Sequence, residues 1–289
     1  MGKDLLNIGG FTIIKRLGNG ARSTIYSATD DQDDALVALK RVILEKPEDI
    51  RYLEQTEMEY KVASQIDHPY VRKCYKIKKI RHLFKTKELL MSMELFEGKT
   101  LEDCPTLSLG DVLLIFRMVA SGLNAMHQHG YVHCDMKPNN ILINKAGSIK
   151  IIDFGQSCKI GTTKQRIQGT PDYIAPEQVR RKPLGPKTDI FNLGATMYWA
   201  LTGKNIPTLI PATTNGLGRV DQKPRECPSP HTLKRQIPIM ISNIVMKCVQ
   251  EDPAKRPGTM MEVISCLDST IHEIFGERIK ARKNQTSNA

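Results

Sequence analysis

The stretch HCDMKPNN, residues 133–140, holds three side chains suited to one chemistry. Asp135 and Asn140 stand five positions apart, Lys137 lies between them, and short apolar runs flank the loop. A carboxylate, an ammonium and an amide in one tight loop fit phosphoryl transfer, where placement and charge neutralisation carry most of the catalysis. A second candidate is Lys40, at the end of VALK. A lysine buried after Val-Ala-Leu needs an anionic partner, and phosphate together with a carboxylate would serve. Glu59 is the carboxylate expected to face it; Glu57 points about 160° away on a helix. By itself the motif also fits a solvent-facing lysine. GNGARS, 18–23, places Gly18 and Gly20 around Asn19 in a β-turn-β setting. Lacking Cβ, such glycines let the backbone approach phosphate oxygens, although a plain hairpin turn fits the stretch equally well. The β setting argues against a dinucleotide fold, in which the motif opens a helix.

These residues need elements to hold them. FTIIKRLG, STIYSAT and ALVALKR read as an antiparallel meander, with DDQDD at 30–34 as a turn. Pro47-Glu48-Asp49 opens a helix. Met58, Val62 and Ile66 share one of its faces, and His68-Pro69 is expected to end it. Strands follow near 74–80 and 88–95, then a connector over 97–106. Val112, Ile115, Phe116, Val119, Leu123 and Met126 trace an amphipathic helix. ILIN-KAG-SIKIID reads as a hairpin, and 188–202 as a buried central helix. A Pro-, Gly- and Thr-rich loop is expected over 203–236, helices near 237–250 and 258–275, and a polar basic tail over 273–289 whose end, ERIKARKNQTSNA, is expected to fray.

Bulk properties narrow the class. The 289 residues, 40% hydrophobic and 25% charged, suit a globular chain with a sizeable core. No run approaches the roughly 18–20 apolar residues of a membrane span, and the N-terminus has neither a secretory leader nor, with Leu6 in place of Ser or Thr, a myristoylation pattern. Seven cysteines, an odd number with no C-x-x-C pair, favour reduced thiols and a cytoplasmic location over a disulfide framework or zinc site. Net charge is +11, which leans toward acidic partners. The densest basic stretch, KIKKIRHLFKTK at 76–87, reads as a charged strand edge; no motif accompanies it that would support nucleic-acid binding.

Taken in order, GNGARS, VALK, HCDMKPNN, DFG at 153–155, APE at 175–177, TDIFNLG at 188–194 and Arg256 in DPAKRP resemble the eukaryotic-type protein kinases, with the texture of bacterial Ser/Thr kinases. The resemblance covers about 11–272. It implies an α+β bilobal fold, a β-rich lobe over 11–96 and a helical lobe over 97–272, with an ATP cleft between. It implies Mg²⁺ as cofactor, and Ser/Thr side chains of proteins as acceptors, since Lys137 and Thr170 match the Ser/Thr-specific pattern.

Position by position, the resemblance implies that Gly18, Asn19 and Gly20 cover the ATP phosphates and that Lys40, oriented by Glu59, holds them. Ile25, Ala38 and Leu142 would enclose the adenine. Met93 would stand behind it, with Glu94, Leu95 and Phe96 as the hinge. Asp135 would orient the acceptor hydroxyl, Lys137 would stabilise the moving phosphoryl group, and Asn140 and Asp153 would bind Mg²⁺. His133 and Phe154 would stack, Asp189 would tie down the catalytic-loop backbone, and Glu177 and Arg256 would form a buried pair.

One position departs from the pattern. Cys134 stands where many kinases carry an arginine that pairs with a phosphate on the activation segment. The departure leaves the catalytic residues intact and implies activation without strict dependence on that phosphate. A buried small residue or a redox-sensitive thiol are the readings open for Cys134 itself. The alternatives to a protein kinase are a scaffold that binds nucleotide without turnover and a small-molecule kinase; APE and GTPDY favour a protein substrate over the latter.

Overall fold

The computed structural model describes residues 6–20, 22–82, 85–104, 107–207 and 227–286. Its first part is a five-stranded antiparallel sheet built from β1 (Phe11–Asn19), β2 (Ser23–Asp30), β3 (Leu36–Ile43), β4 (Cys74–His82) and β5 (Lys85–Met93). Spatial order is β1-β2-β3-β5-β4. Alternation places Phe11 and Ile13 inward, where they pack with Val37, Leu39 and Leu90. β4 is an edge. Its lysines meet acids on neighbouring elements, Lys76 with Asp30 at 2.7 Å and Lys79 with Glu57. Leu83 and Phe84 of the basic stretch lie outside the described residues.

Between β3 and β4 lies α1 (Ile50–Ala63), entered through the 3-10 turn Pro47–Asp49. It stops before the expected His68-Pro69 boundary. Gln65 N–H bonds back only to Val62, and the Gln65 side chain caps the Lys61 carbonyl at 2.6 Å, so the last turn tightens and closes.

The second part begins with β6 (Lys99–Thr100) and α2 (Leu109–Gln128). Ser108 and Asp111 form a reciprocal cap that fixes the start of α2. α2 is long and apolar enough to cross a membrane by composition, contrary to the expectation that no run comes close. Here it is a core helix. Leu113, Phe116, Val119 and Leu123 are fully buried, each contributing roughly 1.5–3 kcal/mol of transfer free energy. It packs on two later helices, α4 and α7 below. Next come β7 (Tyr131–Val132), β8 (Ile141–Ile143), β9 (Ile149–Ile151) and β10 (Cys158–Lys159); β8 and β9 make the expected hairpin and β10 pairs with β7.

The helical remainder is α3 (Pro176–Val179), α4 (Pro186–Thr202), α5 (Pro230–Leu233), α6 (Ile239–Cys248) and α7 (Met260–Thr286). α4 is buried on nearly every side and ends at Gly203, whose φ of 75° closes a helix at no Cβ penalty. α5 interrupts the expected 203–236 loop, of which 208–226 lie outside the described residues. α7 continues through most of the tail expected to fray. After Gly276 that segment holds no glycine or proline and is rich in Arg and Lys, both good helix formers. One apolar core, including Ala38, Val62, Met91 and Met93 from the sheet side and Met136, Ile141 and Phe154 from the helical side, runs through both parts.

Candidate active site

The cleft between sheet and helices is where the sequence motifs converge. β3 carries Lys40 across from Ile25 on β2 and Met91 on β5. Lys40 Nζ donates to Glu59 Oε2 of α1 at 2.6 Å, and Glu59 is 2% exposed. Burial pulls the Lys40 pKa down, but the charges of Glu59 and then Asp153 outweigh it, and the net direction is up. Lys40 therefore stays an ammonium, and Asp153 is close enough to be felt by it. Glu57 points elsewhere, to Lys79. Arg72, which the sequence reading missed, approaches Glu59 Oε1 at 3.8 Å; an isolated arginine before a strand gave no signal of that role.

Ala38 and Met93 are opposite each other in the sheet and almost fully buried. Ile25 packs on the edge of the main core and Leu142, between buried Ile141 and Ile143, is half-buried. Glu94 N–H bonds the Lys73 carbonyl at 2.9 Å, and its carboxylate meets Lys150 at 2.8 Å, so the crossing strand is pinned on both sides. Phe96 lies at half-buried depth beside Gly98, where a Cβ would come within 3.0 Å of its ring and 2.7 Å of the Ile143 carbonyl.

Gly18, next to last in β1, lies opposite Ile25, and among the described residues no atom beyond its chain neighbours lies within 4 Å of where its Cβ would be. That open space suits a ligand approaching the backbone. Gly20 differs: a Cβ there would meet Ser23 Oγ at 2.7 Å, and its N–H already bonds the Ser23 carbonyl. Asn19 accepts from Arg16 Nε at 2.7 Å and is exposed. Ala21 lies outside the described residues.

The catalytic-loop candidates form one bonded group. Asp135 Oδ1 accepts from both the backbone N–H and the hydroxyl of Thr170, at 3.0 and 2.9 Å. Lys137 Nζ lies 3.1 Å from Asp135 Oδ2 and donates to Thr170 Oγ1 at 2.8 Å. Asn140 Nδ2 donates to the Asp135 carbonyl at 2.7 Å. The amide oxygen is on the opposite arm, so this bond turns it away from the loop. Asn140's own carbonyl accepts from Ile152 N–H at 3.0 Å, which brings Asp153 alongside. Asp153 has φ 65° and ψ 71°, a left-handed conformation costly for a non-glycine residue and found where surroundings over-determine it. The following Phe154 is buried and meets the His133 ring edge-on at 5.5 Å.

Beneath this group sits Asp189 of α4, fully buried. Its carboxylate accepts from His133 N–H and Cys134 N–H, each at 2.8 Å, and lies 2.8 Å from His127 Nε2. Burial pushes its pKa up, but the His127 hydrogen bond and nearby charge win and hold it below the ordinary carboxylate value. A carboxyl depressed on folding stabilises the fold above its unfolded pKa of about 3.9 and loses that contribution as pH falls through the lower folded value. The stability of Asp189→Asn, read as a denaturant midpoint by circular dichroism, is accordingly expected to fall less steeply below about pH 4 than that of the parent.

Gln178 of α3 donates to the Cys134 carbonyl at 2.7 Å and to Gln168 at 3.1 Å, joining the catalytic loop to the segment beyond DFG. Neither Gln178 nor His127 was anticipated; each is a polar residue in a helical stretch whose role depends on contacts remote in sequence. Farther out, Glu177 and Arg256 form the expected buried fork, at 2.7 and 2.9 Å.

Comparisons with known proteins give the family and the fold. The family described as "Protein kinase domain" matches residues 11–266. The chain is 29% identical over 261 residues to the serine/threonine-protein kinase PrkC of Bacillus subtilis, covering 87% of this chain and 39% of that protein. It is 28% identical over 284 residues to PknD of Chlamydia abortus, covering 85% of this chain and 29% of that protein. With PknL of Mycobacterium bovis it shares 28% identity over 274 residues, 91% of this chain and 66% of that one. This chain thus spans well under half the length of the first two. Among solved structures, the Mycobacterium tuberculosis PknI kinase domain superposes with a TM-score of 0.69 at 19% identity, covering 93% of this chain and 99% of that one; the likeness is one of fold.

Proposed function

The chain belongs to the protein kinase domain family, and from that premise we propose that it transfers the γ-phosphoryl group of ATP to serine and threonine hydroxyls of proteins. The observation that carries the reading is the bonded set of Asp135, Lys137 and Thr170 lying under a formed Lys40–Glu59 pair. A loose phosphoryl-transfer transition state asks for placement and charge more than for strong bases. Asp135 is held by Thr170 so that its carboxylate receives the acceptor hydroxyl's proton and sets its direction. Lys137, between Asp135 and Thr170, supplies positive charge where the equatorial oxygens gain negative charge. Lys40, kept charged by Glu59, would grip the nucleotide phosphates.

The donor set also fits a magnesium ion. Asn140's amide oxygen and the Asp153 carboxylate are hard oxygen ligands, and the Asn140 bond to Asp135 presents that oxygen away from the loop. Held by these two residues, such an ion would supply positive charge to neutralise the nucleotide phosphates. A Lys40→Met variant should lose transfer, and since it leaves Glu59 buried with Arg72 at 3.8 Å it should also melt earlier. The check is incorporation of labelled phosphate beside a thermal-melt control; transfer at parental rate would remove Lys40 from the mechanism.

Cys134 bears on activation. It is fully buried in a small apolar cluster with Val132, Cys158 and Leu184. The activation segment is further fixed by backbone bonds, Gly161 N–H to Leu184 O at 2.7 Å and Leu184 N–H to Thr162 O at 2.9 Å. Apolar packing and backbone bonds thus occupy the place of an arginine–phosphate pair. A Thr162→Ala/Thr163→Ala double variant should retain transfer within about twofold, the scale expected of surface changes worth under ~0.5 kcal/mol. Loss of nearly all activity would overturn phosphate-independent activation.

A further inference from the structure

Cys134 and Cys158 face each other across the catalytic loop and the segment that follows DFG. Their sulfurs are 3.8 Å apart, in contact. The two backbones are held close by the β7–β10 pairing, in which Cys158 lies opposite Val132. Both thiols are nearly inaccessible from most directions, at 0% and 6% exposure. Cys158, however, also lines a cavity of about 230 Å³ between α1 and the activation segment. Arg51, Glu54, Lys164 and Arg166 line the same cavity, which gives a small oxidant a path to Cys158, and Lys164 is the cation whose charge favours a thiolate there. The two thiols differ in the manner of such pairs. The hydrogen bond to Cys158 and burial push the Cys134 pKa up. Accepting that bond, with Lys164 nearby and the Thr162 hydroxyl adding to it, brings the Cys158 pKa down against burial.

We propose that Cys134 and Cys158 are a redox pair that closes reversibly to a disulfide and thereby turns off the site described above. The effect on transfer rests on the kinase reading; the cross-link does not. The oxidant is a hydroperoxide. The Cys158 thiolate attacks one peroxide oxygen, the O–O bond breaks, and the other oxygen leaves as an alcohol, or as water from hydrogen peroxide, taking up a proton. Cys158, oxidised by two electrons, is then a sulfenic acid. The Cys134 sulfur attacks it, the S–S bond forms, the S–O bond breaks, and hydroxide departs as water with the Cys134 proton. A dithiol returns two electrons and two protons and restores both thiols.

Closure must bring the sulfurs from 3.8 Å to a bonded distance of about 2.05 Å. Cys134 cannot yield freely, since its N–H is held by Asp189 and its carbonyl by Gln178. Closure therefore strains these anchors, and Asp135, the next residue, moves with any shift of the Cys134 carbonyl. A misplacement of about 1 Å can cost roughly 10²-fold in rate, so a loss of at least about tenfold is expected. Transient, regulatory disulfides are the kind a reducing compartment permits.

The test uses the intact reduced chain, treated with hydrogen peroxide near stoichiometry, then alkylated and mapped by mass spectrometry without reductant. The expected result is a 134–158 cross-linked peptide pair, formed before the other cysteines are modified. Transfer should fall in step with it and return on addition of dithiothreitol. Cys158→Ser should form no cross-link and resist peroxide. Peroxide consuming the other cysteines while Cys134 and Cys158 stay alkylatable would overturn the proposal, as would a cross-link that leaves transfer unchanged. No transfer by the reduced parent would sink the kinase reading instead, and the peptide map would still decide the cross-link.

Discussion

Asp135→Asn is expected to lower kcat by about 10²–10⁴-fold, the range for removing a positioned proton acceptor, while leaving nucleotide affinity nearly unchanged. The asparagine is isosteric and can still accept from Thr170 through its carbonyl oxygen, so the loop should keep its shape. What disappears is the charge 3.1 Å from Lys137 and the group that receives the acceptor's proton. Because the proposed role of Asp135 is toward the acceptor hydroxyl, the loss should fall on kcat and not on ATP binding. Steady-state kinetics with parallel nucleotide titration separate the two. A tenfold or greater weakening of nucleotide binding, with kcat unchanged, would mean that Asp135 is a nucleotide ligand instead.

Asp189→Ala should damage both stability and rate. The parent carboxylate receives the backbone N–H groups of His133 and Cys134 and faces His127, with no exposure to water. Alanine leaves those donors buried and unsatisfied, at about 1–3 kcal/mol each. A total loss of about 3–5 kcal/mol is expected, as for breaking a buried pair from one side. The freed backbone is one residue from Asp135, so transfer by whatever fraction stays folded should also fall by roughly 10²-fold. Denaturant melts and rates normalised to folded protein measure the two effects separately. A destabilised variant with a normal rate per folded molecule would show that Asp189 supports the fold without positioning the loop.

Most of the architecture was legible because the signals were local. The alternation of Phe11 and Ile13, the three- and four-residue spacing from Val112 to Met126, and the turn between ILIN and SIKIID each name their element without tertiary help. The Lys40–Glu59 pair was legible for a different reason: a buried lysine requires an acid, and helix geometry rejected Glu57. What escaped was decided by balances of small terms. The end of α1 depended on how Gln65 capped one turn. The continuation of α7 depended on propensity prevailing over polarity. The apolar content of α2 was underestimated because polar residues interrupt it; Asp111 and Gln128 are exposed near its ends, while His127 turns inward to Asp189. Arg72, His127 and Gln178 escaped because their partners are distant in sequence and polar residues in such places are common. The contact between Cys134 and Cys158 needed the fold, since 24 residues separate the two thiols.

The most direct measurement is the fate of the γ-phosphate. The purified reduced chain is incubated with γ-labelled ATP, Mg²⁺ and a generic protein acceptor, and the acceptor is then hydrolysed for phosphoamino acids. Label on serine or threonine, absent with Asp135→Asn, is the predicted result. Nucleotide bound by a folded chain with no label on any protein hydroxyl, or label on tyrosine alone, would contradict the assignment of this site to Ser/Thr phosphorylation.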